Sequence, residues 1–216
     1  MLEARLVHLK IDNIRGPYQI EPNVTIGLDG HRLAALIARW AFEFPEILDQ
    51  FNAILRRCLP EMKRALVRCT SNGNVSLLFE QIDGERFEAS EVSDGVLVFS
   101  ALIAHALEAP PNGLIMLEEP ERGIHPRRLK ELVDVLRTLV DARKTQFILA
   151  THSTALLNAF RDEPDAILLF RRSQTGTQIR RLSDVPELRE ALSRADPGEL
   201  LAGGVFNETL GGDGES

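Results

Sequence analysis

Glu118 and Glu119 close an apolar run, Leu114-Ile115-Met116-Leu117, and are followed by Pro120. About thirty residues further on, a second apolar run, Ile148-Leu149-Ala150, ends in Thr151-His152-Ser153. A strand of a parallel sheet delivers its last residues to the carboxyl edge, where ligands of open α/β sheets bind. Successive strand residues face opposite sides, so two adjacent carboxylates need not share one task. One can hold Mg²⁺, and the other can orient and deprotonate an attacking water. A second strand tipped with His supplies a contact for a phosphate. The blander reading of the same residues is two surface acids opening a loop and a histidine hydrogen-bonded for structure.

Such chemistry needs a scaffold, and residues 93–182 have the pattern of one. Ser93-Asp94 can cap a helix that carries Leu97, Leu102, Ile103, Ala106 and Leu107, with Pro110-Pro111-Asn112-Gly113 ending it. Then come a strand at 114–117, a helix at about 127–142, a strand at 146–150, a helix from about Ser153 and a strand at 166–170. Apolar strands alternating with helices predict a parallel sheet covered on both faces. A last strand at 177–182 and a helix from Pro186 to Arg194 follow, and Gly203-Gly204 and Gly211-Gly212-Asp213-Gly214 read as loop or tail.

The upstream part reads differently. Residues 5–12 alternate as a strand, broken at Gly16-Pro17, and Gly27-Leu28-Asp29-Gly30 is a loop. Leu33, Leu36, Ile37 and Trp40 share one helical face, and so do Ile47, Leu48, Phe51, Ile54, Leu55 and Cys58 after Pro45. Two β-rich runs, 65–70 and 75–80, flank Ser71-Asn72-Gly73-Asn74, a hairpin signal. A second break at Asp83-Gly84 leads to Arg86-Phe87-Glu88. The expected division is 1–92 (strand, helical pair and β-hairpin lobe), 93–212 (catalytic lobe) and 213–216 (tail).

Bulk properties narrow the field. With 216 residues, 44% hydrophobic and 26% charged, the chain is ordinary for a soluble globular protein. A net charge of −7 argues against one broad nucleic-acid surface, although Arg127-Arg128, Arg171-Arg172 and Arg180-Arg181 are local basic clusters. Cys58 and Cys69 form no CxxC pair, so a zinc site is not expected, and Cys58 reads as core packing. Two cysteines and no secretion signal fit a reducing, cytoplasmic setting, and no apolar run reaches bilayer-spanning length.

The stretch from Leu114 through Glu118-Glu119-Pro120-Glu121-Arg122-Gly123-Ile124-His125-Pro126 resembles the Walker B and D-loop segment of ABC-type ATPases. It is closest in pattern to the RecF-like, SMC-like and OLD-like AAA ATPases. Ser93-Asp94-Gly95, about two dozen residues earlier, is similar to their signature motif, and Thr151-His152-Ser153 to their switch histidine. The resemblance implies a P-loop-NTPase-like α/β fold and the cofactors ATP and Mg²⁺, expected only with a P-loop-bearing half or partner. It implies Glu118 as the metal partner, Glu119 as the catalytic base and His152 as the γ-phosphate contact. Ser93, Asp94 and Gly95 would bind the nucleotide held by an opposite subunit, since a helix N-terminus offers free amides to an anion. Gly123 to Pro126 would cross to the partner, with His125 a structural residue of that loop.

One part is missing. The family needs GxxGxGK[ST], and no Gly-Lys pair occurs anywhere in the chain. Gly27-Leu28-Asp29-Gly30-His31-Arg32-Leu33-Ala34 is either a degenerate phosphate loop or the DGxNLAxxL segment that such ATPases carry well after it. The second alternative is preferred. It makes residues 25–212, including the closing Gly-Glu-Leu-Leu-Ala-Gly-Gly, the C-terminal half of such an ATPase, with the other half removed or supplied by another polypeptide. The expected partners are a homodimer mate or a P-loop-bearing chain, with DNA or a nuclease possible by resemblance and no membrane. Roles in DNA repair, chromosome maintenance or anti-phage defence follow from resemblance alone. The alternative is a catalytically inactive ATPase-like interaction module. A nuclease finds little support, as no Asp-x-Asp and no clustered histidines occur.

Overall fold

The structure, a computed structural model, describes residues 4–70, 72–110, 112–173 and 176–206. Ser71, Pro111 and the tail from 207, all named above, lie outside them. The chain forms two compact units that meet in sequence at Ala150/Thr151.

In the first unit, β1 (Ala4–Val7) leads to a short helix α1 (Ile11–Arg15), a two-residue strand β2 (Tyr18–Gln19), and helices α2 (Leu33–Glu43) and α3 (Pro45–Cys58). An antiparallel layer follows from β3 (Met62–Cys69), β4 (Asn74–Gln81) and β5 (Arg86–Glu88), and then α4 (Asp94–Glu108), β6 (Leu114–Glu118), α5 (Leu129–Arg143) and β7 (Gln146–Ala150). The strand expected over 5–12 is corrected: it stops at Val7. The Lys10 amide donates to Asp29 O at 2.9 Å, and the Asn13 and Ile14 amides donate back to Lys10 O. That turn puts Ile14 fully in the core, so a tertiary contact overrides the local alternation.

Two sheets result. β1, β6 and β7 pair parallel in the order β1-β6-β7, with Val7 opposite Leu117 and Glu118 opposite Ala150. β1 therefore belongs to the parallel sheet, although in sequence it lies with the N-terminal lobe. β2, β4 and β3 are antiparallel, with β5 also on β4. The β3–β4 hairpin turns at Gly73, whose φ of +76° suits glycine. Glu80, 3% exposed, receives Lys63, Arg64 and Arg86, and the Lys63 and Arg64 hydrogen bonds hold its pKa down at about 2.

The core of this unit lies between helices and sheets. α4 is buried almost all round, from Val96 to Leu107, which is how a central helix reads. Trp40 packs on Phe51 with ring centroids 5.8 Å apart. Cys58 is 1% exposed and burial pushes its thiol up to about 12, in keeping with core packing. Ile115, Leu117 and Val7 are buried on one face of the parallel sheet. On the other face Leu6 and Ile148, flanking Met116 in register, are 54% and 51% exposed.

The second unit starts at Thr151. It holds α6 (Thr154–Asn158), β8 (Leu168–Ser173), β9 (Gly176–Arg181), α7 (Pro186–Leu192) and α8 (Pro197–Ala202). Its core is Ile167, Leu182, Val185, Leu188, Leu200 and Phe206. Two expectations are corrected here. The strand placed at 166–170 begins at Leu168, because Pro164–Ala166 is a turn of 3₁₀ helix. It pairs antiparallel with β9 rather than entering a parallel sheet, since two residues between strands permit a hairpin and not a crossover. Residues 197–202, to which the sequence pattern assigns no element, form α8, started by a reciprocal cap in which Asp196 and Glu199 each accept the other's backbone amide.

Candidate functional site

The carboxyl ends of β1 and β6 open into a cavity of about 560 Å³. Residues 7–13 line one side, Glu118, Glu119, Pro120, Arg122 and Gly123 another, and Asp94, Val98 and Leu102 of α4 the third. Of the charged lining groups, Asp12, Asp94, Glu118 and Glu119 face only Lys10 and Arg122, so the mouth is net acidic.

Glu118 ends β6, and its Oε2 takes a proton-bearing nitrogen, Nδ1 of His8, at 3.0 Å. His8 directly follows β1, and its amide donates to Leu28 O at 3.0 Å. Glu119 leaves the strand with φ of +46°. A residue before proline favours extended backbone, and an L-residue in the left-handed region is strained. Two hydrogen bonds hold the bend: the Glu119 amide donates to Ala150 O at 2.9 Å, and the Arg122 amide to Glu119 O at 3.0 Å. Arg122 Nη1 makes a long ion pair of 4.0 Å with the Glu119 carboxylate, and both residues line the cavity.

Ser93 occupies the N-cap position of α4, as its sequence suggests, but its hydroxyl does not accept from the helix amides. The expected side-chain cap is thus absent, and the hydroxyl stays available to an external donor or acceptor. Asp94 is turned aside by Arg15, whose Nη2 donates to Oδ1 at 2.8 Å while its Nε reaches Ala89 O at 3.3 Å. Gly95 and Gly123 bring two backbones together: a Cβ on Gly95 would sit 3.2 Å from Gly123 O, and one on Gly123 would sit 3.1 Å from Asp94 Cβ. Gly123 also has φ of +81°. His125 Nδ1 accepts from the Arg127 amide at 3.3 Å and starts the 3₁₀ turn before α5.

His152 belongs to the second unit, where the Ser153 amide donates to Thr151 Oγ1 at 2.9 Å and the Leu156 amide to Ser153 Oγ at 3.2 Å. These bonds shape the segment around His152, which is exposed. The structure thus brings Asp94, Glu118 and Glu119 to one cavity, with Ser93 and Gly95 beside Asp94. His8, Lys10 and Arg15 were missed by sequence reasoning. Their signal was faint: basic residues spaced through an apolar strand and the turn after it.

The Gly27–Ala34 loop is closed on itself. The Gly27 amide donates to His31 O at 2.9 Å, the Gly30 amide to Gly27 O at 2.7 Å and the His31 amide to Asp29 Oδ1 at 3.2 Å. The His31 ring bonds Asp29 and lies where a Cβ on Gly27 would go. Asn13 holds the other Asp29 oxygen at 2.6 Å. Burial raises the Asp29 pKa, but the His31 and Asn13 bonds outweigh it and bring it to about 2. A phosphate cradle needs outward-facing amides; here three are spent within the loop.

The donor set fits Mg²⁺. Magnesium takes one or two carboxylates and keeps waters and phosphate oxygens as its other ligands. Glu118 offers Oε1, which has no partner among the described residues, and Glu119 and Asp94 line the same cavity. No group of three or more His, Cys, Asp or Glu forms a closed metal cage among the described residues, which suits an ion that shares its shell with a substrate.

Comparison with known proteins places this arrangement. A chain from a study of ATP-driven dimerization and DNA-stimulated activation of SMC ATPases superposes with a TM-score of 0.53 at 13% identity, over 74% of this chain and 99% of that one. The Smc head domain of Pyrococcus furiosus, bound to the C-terminal domain of ScpA, gives 0.50 at 14% identity over 73% of this chain and 40% of that one. The lipoprotein-releasing system ATP-binding protein LolD of Pseudomonas syringae pv. tomato is 26% identical over 158 residues, 67% of this chain and 69% of LolD. The fold is similar to that of SMC ATPase heads, and the class is an ABC/SMC-like ATPase module. Residues 24–158 match the family described as "AAA domain, putative AbiEii toxin, Type IV TA system", and the chain belongs to that family. No helix among the described residues is long and apolar enough to cross a membrane.

Proposed function

We propose that this chain is the acid-bearing half of an ATP-hydrolysing site whose phosphate-binding loop comes from another polypeptide segment. The observation that carries the reading is the cavity at the carboxyl ends of β1 and β6, with Glu118, Glu119 and Asp94 on its walls. When bound, Mg²⁺-ATP supplies the electrophilic γ-phosphorus and neutralises charge on the leaving group. Glu118 would hold the metal, with Oε1 as the oxygen left without a partner among the described residues. Glu119 accepts a proton from the attacking water and aims it, its direction fixed by the bend at φ +46°. By the resemblance of Thr151-His152-Ser153 to the switch histidine motif, His152 would contact the γ-phosphate. Ser93, Asp94 and Gly95, at the start of a 15-residue helix whose first amides lack a side-chain cap, receive the nucleotide of a second subunit in a head-to-tail dimer.

Four features support incompleteness. The chain has no Gly-Lys pair, and the loop at Gly27 is self-closed. Among the described residues of the first unit, the parallel sheet also has an exposed apolar face, where Leu6 and Ile148 flank Met116, and a strand edge at β7 with no partner. Parallel sheets are normally covered on both faces. Glu118 lies on that same open face, because it is in the strand phase of Leu114 and Met116. An element that covers the face therefore ends beside the metal acid.

The similarity to chains studied for ATP-driven dimerization and DNA stimulation, and to a head that binds ScpA, supports a dimer with a DNA or protein client. Work in DNA repair, chromosome maintenance or anti-phage defence is proposed on the resemblance of the motifs alone. The test is ATP turnover by the chain reconstituted with a P-loop-bearing polypeptide, against Glu119→Gln in the same mixture. Turnover that is no higher than the Gln variant's refutes hydrolysis at this site. It then favours the second reading, an inactive ATPase-like interaction module, for which the self-closed Gly27 loop is the supporting observation.

A further inference from the structure

We propose that His8 is a positioning residue for the metal-holding carboxylate: its Nδ1–H fixes Oε2 of Glu118 and turns Oε1 toward the cation. The inference rests on the metal role given to Glu118 above and extends it to a residue outside the recognised motifs.

The geometry comes from the parallel pairing. Val7 is opposite Leu117, so the next residue on each strand, His8 and Glu118, emerges side by side at the carboxyl edge. The contact is 3.0 Å. A carboxylate only accepts hydrogen bonds, so the proton sits on Nδ1. The backbone that carries the imidazole is held from behind, because the His8 amide is bonded to Leu28 O and the Lys10 amide to Asp29 O. The loop that closes on His31 and Asp29 thus serves as the anchor of His8.

A Glu side chain has three rotatable bonds and, at half exposure, samples many rotamers. Glu118 is 54% exposed and His8 49%, so the pair adds little to fold stability. Its effect is on direction. Carboxylates that ligate metals are commonly hydrogen-bonded through the oxygen they do not give the ion, and loss of such an outer partner typically weakens metal affinity about 10- to 100-fold. Half exposure places the expected effect near the lower end. Lys10 and Arg122 also line the cavity, but neither makes an ion pair with Glu118 among the described residues, which leaves the orienting role to His8.

The test uses the chain together with the P-loop-bearing polypeptide and ATP, and Mn²⁺ as the probe, with binding read from paramagnetic broadening of the backbone signals of residues 117–119 of this chain. Glu118→Gln sets the baseline for loss of the site. His8→Ala is expected to weaken Mn²⁺ binding about tenfold, and His8→Asn, whose amide can donate from the place of Nδ1, to restore most of it. Thermal midpoints of the His8 variants are expected to stay at the wild-type value, which separates orientation from folding. Unchanged or tighter Mn²⁺ binding in His8→Ala overturns the positioning role; tighter binding makes His8 a competitor of the ion. If the wild type shows no Mn²⁺ broadening at 117–119, or Glu118→Gln leaves it intact, the metal role of Glu118 fails instead, whatever His8 does.

Discussion

Replacing Glu119 by Gly and by Ala separates what the backbone contributes from what the carboxylate contributes. Both substitutions remove the carboxylate and its distant Arg122 contact, so they differ only in what the main chain feels. At φ +46° an L-residue carries a penalty of roughly 1–2 kcal/mol that glycine escapes. Glycine in turn loses about 0.4–1 kcal/mol more unfolded-state entropy than alanine. The net expectation is that Glu119→Gly is more stable than Glu119→Ala by about 0.5–1 kcal/mol. Urea unfolding followed by Trp40 fluorescence reads this directly, because Trp40 is buried in the same unit. With a slope of about 2 kcal/mol per molar, the midpoints should lie ~0.3–0.5 M apart. Equal midpoints, or a more stable Ala variant, would refute the claim that the site stores strain at residue 119.

Four further outcomes are expected. In the reconstituted ATPase, Glu119→Gln should lower turnover by about 10²- to 10⁴-fold, the usual range for a lost general base, while ATP binding measured by a fluorescent analogue is kept. His105 is 1% exposed, and burial together with Arg5 pushes its pKa down to about 4. The unfolded chain therefore binds more protons than the folded one between the ordinary histidine value and about 4. Stability present above pH ~6.5 should drain away as pH falls to about 4, by up to about 3 kcal/mol, and a pH series of urea midpoints on His105→Leu should flatten that window. Below it, Asp29 and Glu80, both held at about 2, should drive a second loss as pH falls from about 4, which Asp29→Asn should shrink. Gly198→Ala should destabilise the second unit by about 1–3 kcal/mol, since a Cβ there meets the Thr154 carbonyl and crowds the Asn158 side chain that accepts the Gly198 amide; unchanged protection of α8 amides in hydrogen exchange would contradict this.

The elements legible from sequence are those whose signal is local and strong. The continuous apolar runs gave β6 and β7 to within a residue, and Asn72-Gly73 gave the β3–β4 turn. The carboxylates were placed at a strand end because apolar runs that stop abruptly at charge mark one. What escaped was set by contacts distant in sequence. β1 ends early because the chain turns to bury Ile14 and to meet Asp29, 15 residues after it. β8 joins β9 because the hairpin between them is short, which apolar content alone does not reveal. The Asp196-Pro197-Gly198-Glu199 cap was a readable signal for α8, masked by the glycines around it. His8 had no signature, as a lone histidine after a short strand has no partner until the register sets one beside it.

The close approach of Gly95 and Gly123 has a mechanical consequence. With no side chain at either position, the first turn of α4 and the loop after Pro120 touch backbone to backbone, and neither can shift by an ångström without moving the other. The helix start that would read one nucleotide and the loop bound to Glu119, which would hydrolyse another, therefore behave as a single lever. On the proposed reading, a push applied at one end of that lever would be delivered at the other through this close backbone contact, and occupancy of one site would have a direct route to the timing of the next.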